Sequence, residues 1–182
     1  MGTWSMFQYV VNAALGSSAD EVWISTDSTE VEELTISMKK FETERLYVHR
    51  RTEEEELEPE TGVVTIARHL ILQEELPFAD DDYTIIALAN CPEVKADELT
   101  EAFNMLAHND CHEVRSFKSY RLMCLRENGI WGMRTSRIFA NPYGYLSAYV
   151  GGILTSSTEI ETQVDFDWVL NVMKQRGMLH AD

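Results

Sequence analysis

The sequence predicts an α/β fold, an open and mostly parallel sheet covered by helices on both faces. Three observations carry that prediction. Short runs of β-branched and aromatic residues alternate with helical patterns over the first 107 residues, the alternation that builds parallel sheets through helical crossovers. The stretch Val22-Trp23-Ile24 runs straight into Ser25-Thr26-Asp27-Ser28 and then into a helical pattern, a strand-to-helix joint with an acid at its turn. In open α/β sheets ligands gather at such joints. Finally, 182 residues suit one domain, which can bury a core without disulfide or metal support.

Taken in order, residues 4–15 place Met6, Tyr9, Val10, Ala13 and Ala14 at helical spacing, with Gly16 as a stop. A strand at 21–26 follows, then a helix at 28–40 with Val31, Leu34 and Met38 on one face and Glu30 close to a capping box with Asp27. Residues 45–49 read as the next strand. Residues 53–60 carry four adjacent glutamates, which repel one another and predict a solvated loop. A helix at 61–75 buries Val64, Ala67, Leu70 and Ile71, and Asp80-Asp81-Asp82 form a surface turn ahead of the buried strand 83–89. The loop 90–95 leads to an amphipathic helix at 96–107 through Leu99, Phe103 and Leu106. Beyond it, 113–117, 120–125 and 138–139 are short β-like pieces, separated by turn signals at Glu127-Asn128-Gly129 and at 141–144. This β-rich middle, 111–155, reads as an excursion or a mixed-sheet edge. A last strand at 152–155 leads to a closing helix at 164–175.

Composition narrows the function. Fifteen Lys and Arg against 31 Asp and Glu give a formal charge of −16, which repels nucleic acid and anionic membranes and disfavours triphosphates unless a metal or a basic cluster offsets it. Cys91, Cys111 and Cys124 show no CxxC spacing, so reduced and mostly buried thiols are expected, as suits a cytoplasmic protein. No basic leader and no apolar run of about 18 residues occurs, so neither export nor a membrane span is expected.

Nucleophilic catalysis lacks a Gly-x-Ser-x-Gly elbow or an activated cysteine, and phosphate binding lacks both GxGxxG and GxxxxGK[ST]. His49 beside Arg50 and Arg51 is a cationic cluster at a strand end, able to face an anion or to pair with the acidic run behind it. Glu159 and Glu161 are the most suggestive pair. Carboxylates at i and i+2 on extended backbone share a face and can offer hard oxygen ligands to Mg²⁺, with water and phosphate completing the shell.

In this order the pieces resemble the cytidylyltransferases that make CMP-activated acid sugars, the acylneuraminate and Kdo type. Ile24-Ser25-Thr26-Asp27-Ser28-Thr29-Glu30-Val31 is similar to that family's VSTDDEEI block, and residues 7–15 to the AYTIEAAL helix before it. Arg50-Arg51-Thr52 with Glu60-Thr61-Gly62 resembles the RRP and D-T/S-A segments, and Glu159-Ile160-Glu161-Thr162-Gln163-Val164-Asp165-Phe166 resembles DIDTPEDL. The resemblance implies a Rossmann-like nucleotide-diphosphosugar transferase fold, a homodimer, and CMP transfer from CTP to an acid sugar with Mg²⁺. It implies Glu159 and Glu161 as the metal pair, and Asp27, Arg51 and Asn90 as substrate-side residues.

The departures shape the expected function. The family's opening strand and glycine-rich basic loop, IPARGGSKRIPxKN, have no counterpart among these residues. Where the family has LQPTSPLR, this sequence has Ala87-Leu88-Ala89-Asn90-Cys91-Pro92-Glu93-Val94, and both metal aspartates are glutamates. The expectation is a shortened cytidylyltransferase-like protein with lost or impaired transfer. An active Mg²⁺-dependent nucleotidyltransferase and an acidic scaffold are the alternatives. Since the opening strand lies inside the sheet in such folds, its absence leaves a backbone edge for another strand or chain to cover.

Overall fold

The computed structural model describes residues 4–42, 44–52, 62–79, 81–109, 111–120, 124–140 and 150–179. The acidic run 53–60 and the turn at 141–144 lie outside the described residues. The element order is α1 (Met6–Leu15), β1 (Val22–Thr26), α2 (Thr29–Glu42), β2 (Leu46–Arg50), α3 (Val63–Gln73), β3 (Tyr83–Ala87), α4 (Ala96–His108), β4 (Glu113–Tyr120), β5 (Cys124–Arg134), α5 (Thr135–Ala140), β6 (Val150–Leu154) and α6 (Gln163–Gln175). The fold is α/β, and among the described residues neither sheet closes into a barrel. β1 and β2 pair in parallel, and β3-β5-β4-β6 form a mixed sheet in which β4 and β6 are parallel while β5 runs antiparallel to both its neighbours.

The period-2 alternation of each strand decides which helix it meets. Val22 packs with Phe7 and Val11 of α1 and Met38 of α2, and Ile24 joins the same cluster, whereas Trp23 packs on the opposite side with α3. In β3, Ile85 and Ala87 meet the cluster of Ala13 and α4, while Ile86 meets α3. Helices α1 and α3 therefore cover both sheets, one on each side. Among the described residues no backbone hydrogen bond joins β1 to β3, and each ends its own sheet. Apolar packing on α1 and α3 joins the two sheets. The start of β2 is tied back to the end of α1 by Arg45, whose guanidinium donates to the carbonyls of Leu15 (2.6 Å) and Ala19 (2.5 Å).

Two expectations are corrected. The pair Ile138-Phe139 is helical, within α5, because Thr135 and Ile138 are both buried and stand three apart on one helical face. A two-residue apolar run carries no period of its own, so packing against α3 decides its conformation. Glu127-Asn128-Gly129 does not end a strand but lies inside β5. Arg115 faces Trp131 and Phe117 faces Glu127, so β5 accommodates extra residues there, and Gly129 adopts φ of 69°. The turn chemistry of Asn-Gly serves a bulge. Ser116 opposite it completes the pairing by accepting from the Ile130 N–H at 3.0 Å through its hydroxyl. The β-rich middle, expected as an excursion or a mixed-sheet edge, places β5 and β4 at the centre of the four-stranded mixed sheet and not at its edge.

Candidate functional site

Each predicted site residue stands just beyond the carboxyl end of a strand or in the segment before α6. Asp27 follows β1 and Arg51 follows β2, and the parallel register that pairs Thr26 with Arg50 brings the two together. Asp27 Oδ1 lies 3.1 Å from Arg51 Nη2, and Arg51 Nη1 donates to the Ser25 carbonyl at 2.9 Å. Arg50 pairs with Glu32 at 3.9 Å. Among the described residues these arginines thus meet acids of the β1–α2 joint, and the cationic cluster is neutralised. His49 is turned inward: its Nδ1 lies 2.8 Å from Glu74 Oε1 and the ring is buried.

A second grouping joins the loop after β3 to the segment before α6. The Asn90 carbonyl accepts from the Ile160 N–H at 3.0 Å, and its side-chain amide donates to the Ile160 carbonyl at 3.3 Å and reaches Glu159 Oε1 at 3.5 Å. Asn90 and Glu159, which are 69 positions apart, are therefore neighbours. Glu161 is exposed, and its backbone N–H donates to Asp165 Oδ2 at 3.3 Å. Asp165 and Thr162 form the reciprocal cap of α6: Thr162 Oγ1 accepts from the Asp165 N–H at 3.3 Å, and Asp165 Oδ2 accepts from the Thr162 N–H at 2.9 Å. Thr162 and Asp165 thus start the helix in this segment.

Mg²⁺ is the metal the resemblance implies. Among the described residues no group of three or more His, Cys, Asp or Glu side chains could hold an ion. Glu159 and Glu161 would suffice only for a cation that keeps its waters and shares ligand phosphates, a mode Mg²⁺ accepts. Cys91 is not a nucleophile here. Burial pushes its thiol up to about 12, with the Glu159 charge adding to the rise, so it stays protonated near neutrality.

Other charged groups at these strand ends carried no local signal. Glu98, buried at the start of α4, accepts from the Lys95 N–H (3.2 Å), the Thr155 hydroxyl (3.1 Å) and the Ser156 N–H (3.2 Å), and so ties α4 to the segment that leads to Glu159. Glu93 is buried and pairs with Arg176 at 3.1 Å across 83 positions of chain. Lys118 donates to the Thr158 hydroxyl, and burial lowers its ammonium below the usual lysine range against the opposing pull of Glu93. No periodicity or short motif announces such distant pairs.

No protein-family model matches the chain, and no curated protein matches it. Solved structures do. A cytidylyltransferase from Leptospira borgpetersenii superposes with a TM-score of 0.60 at 9% identity, covering 98% of this chain and 87% of that one. The 4-diphosphocytidyl-2C-methyl-D-erythritol synthase of Anaerococcus prevotii gives 0.63 at 8% identity, covering 93% and 89%. A nucleotide-diphospho-sugar transferase-type protein from Desulfovibrio desulfuricans gives 0.54 at 10% identity, covering 93% and 73%. At these identities the likeness is one of fold: the chain has the nucleotide-diphospho-sugar transferase fold.

Proposed function

We propose that the chain is a cytidylyltransferase-like protein that binds a nucleotide or an acid sugar at the carboxyl ends of its strands, with CMP transfer from CTP lost or impaired. The observation that carries this reading is the commitment of Arg51 to Asp27 and the Ser25 carbonyl. A triphosphate needs positive charge to offset its own, and a protein of −16 offers none at long range. With Arg51 and Arg50 both paired to acids, the described residues of the β1–β2 end offer the phosphates no net cation from this pair of arginines. A homodimer and an acid-sugar substrate belong to the same reading. The active alternative, with Mg²⁺ on Glu159 and Glu161, is favoured by the position of Glu159, partly buried beside Asn90.

Calorimetry with CTP and with a CMP-sugar, each with and without Mg²⁺, tests the proposal beside an assay for pyrophosphate release. Weak nucleotide binding without pyrophosphate release is expected. Tight Mg²⁺-dependent CTP binding that Glu161→Ala abolishes, together with turnover, would establish the active enzyme instead. Absence of binding to every nucleotide and sugar acid would leave the acidic scaffold.

A further inference from the structure

β1 ends the two-stranded sheet and β3 ends the four-stranded one, and among the described residues neither has a strand bonded to its outer side. The same two helices bracket both edges. Ala14 of α1 packs against the β1 cluster and the β3 cluster alike, and on the opposite side Trp23 and Ile86 pack against one cluster built on α3. Strands side by side at the ~4.8 Å of a ladder would bond to each other, which these two do not. Between them lies a slot bounded by two strand edges and two helices. Its openness shows in β3, whose five residues all stay partly exposed although β5 and two helices pack on the strand.

Alternation along each ladder fixes which backbone groups point into the slot. In β1 the Val22 N–H donates to the Arg45 carbonyl and the Thr26 carbonyl accepts from the Arg51 N–H. Val22, Ile24 and Thr26 therefore bond toward β2, and Trp23 and Ser25 turn their N–H groups outward. In β3 the Asp82 carbonyl accepts from Thr135 and the Leu88 N–H donates to Gly129, so Thr84 and Ile86 bond toward β5. Tyr83, Ile85 and Ala87 then face the slot. Arg51 already donates to the Ser25 carbonyl, which marks one end of the slot.

From these two facing rows of backbone groups, we propose that the slot between β1 and β3 is a docking site for an extended segment of another polypeptide chain, which enters as a strand and bonds to both edges. Regularly spaced N–H and C=O groups on two sides are matched by extended backbone. Helices on both faces make the side chains of the incoming strand apolar on both faces, a continuous run of β-branched residues. The length of the run follows from the five residues of each edge. Basic flanks suit it, because the receiving chain carries −16. The strands among the described residues are all paired already, so the segment comes from a partner. This docking site goes beyond the nucleotide reading and does not rest on it.

Residue-resolved amide exchange on the intact chain, with and without a peptide of core Val-Ile-Val-Ile-Val between paired lysines, tests the assignment. In the free chain Trp23, Ser25, Ile85 and Ala87 should exchange fast while Ile24 and Ile86 are protected. The peptide should bind saturably by calorimetry and slow exchange at those four residues, leaving Ile24 and Ile86 unchanged. The same peptide N-methylated at alternate residues keeps its apolar side chains but loses the donors of one ladder, and should bind about tenfold more weakly or worse. Ala87→Pro removes a donor that points into the slot and spares the β3–β5 ladder, so it should weaken peptide binding while circular dichroism stays unchanged. Slot amides already protected in the free chain would show that the chain's own residues fill the slot, and would overturn the proposal. So would failure of the peptide to bind saturably, or equal binding of its N-methylated form, which marks apolar adhesion without strand pairing.

Discussion

At the scale of single residues, Cys91 shows how position outweighs residue type. It is fully buried, next to Gly129, whose added Cβ would meet the sulfur at 2.8 Å. Burial first, and the Glu159 carboxylate second, hold the thiol up to about 12 from an ordinary value of 9.0. The sign of the consequence follows from proton counting. Below about pH 9 both folded and unfolded chains keep the proton and this group adds nothing. Above it the unfolded chain releases a proton that the folded chain retains, so stability falls as pH rises from 9 toward 12, by at most ~1.4 kcal/mol per unit from this one group. Urea unfolding at successive pH values should show this slope in the native chain and a shallower one in Cys91→Ala. A thiol reagent at pH 8 should leave Cys91 unmodified until the chain is unfolded.

At the scale of elements, the closing helix is held at its start by the Thr162–Asp165 exchange, with Thr162 Oγ1 accepting from the Asp165 N–H. Thr162→Ala should cost about 1 kcal/mol of stability, measured by urea unfolding. Because the same cap also engages the Glu161 N–H through Asp165, the variant should loosen the segment that carries Glu159 and Glu161. A faster amide exchange at 160–163 would report it, and an unchanged rate would show that contacts other than the cap, such as those of Asn90, hold the segment. The other helix start near the site works similarly: Glu98 caps α4 and also receives Thr155 and Ser156, so one buried carboxylate sets both the helix and the path of the chain leaving β6.

At the scale of the whole molecule, the charge of −16 is a self-repulsion that the compact state must bear. Raising monovalent salt from about 0.01 to about 0.15 M shortens the screening length from ~30 to ~8 Å, and the thermal midpoint should rise. A midpoint that falls would mean that attractive pairs such as Asp27–Arg51 outweigh the repulsion. The same charge sets the division of labour inside the fold. Cations are drawn to acids nearby: Arg51 to Asp27, Arg50 to Glu32, Arg176 to Glu93. Two parallel strands and a mixed four-stranded sheet are then joined through α1 and α3 by apolar contact. Among the described residues, no helix is long and apolar enough to cross a membrane.

The sequence by itself determined the alternation of helices and strands, because hydrophobic period and cap chemistry are local and survive without knowledge of the rest of the chain. It also pointed to the strand-to-helix joint at Asp27, which is legible from adjacent residues, while the substrate-side roles of Arg51 and Asn90 came only with the family resemblance. Only the tertiary structure decided that Asn128-Gly129 sits inside a strand and that Ile138-Phe139 is helical, because there packing overrode short-range preference. It alone decided the partners of the charges. An ion pair such as Glu93–Arg176 joins residues 83 positions apart, and no local pattern fixes which side chains a fold brings into contact.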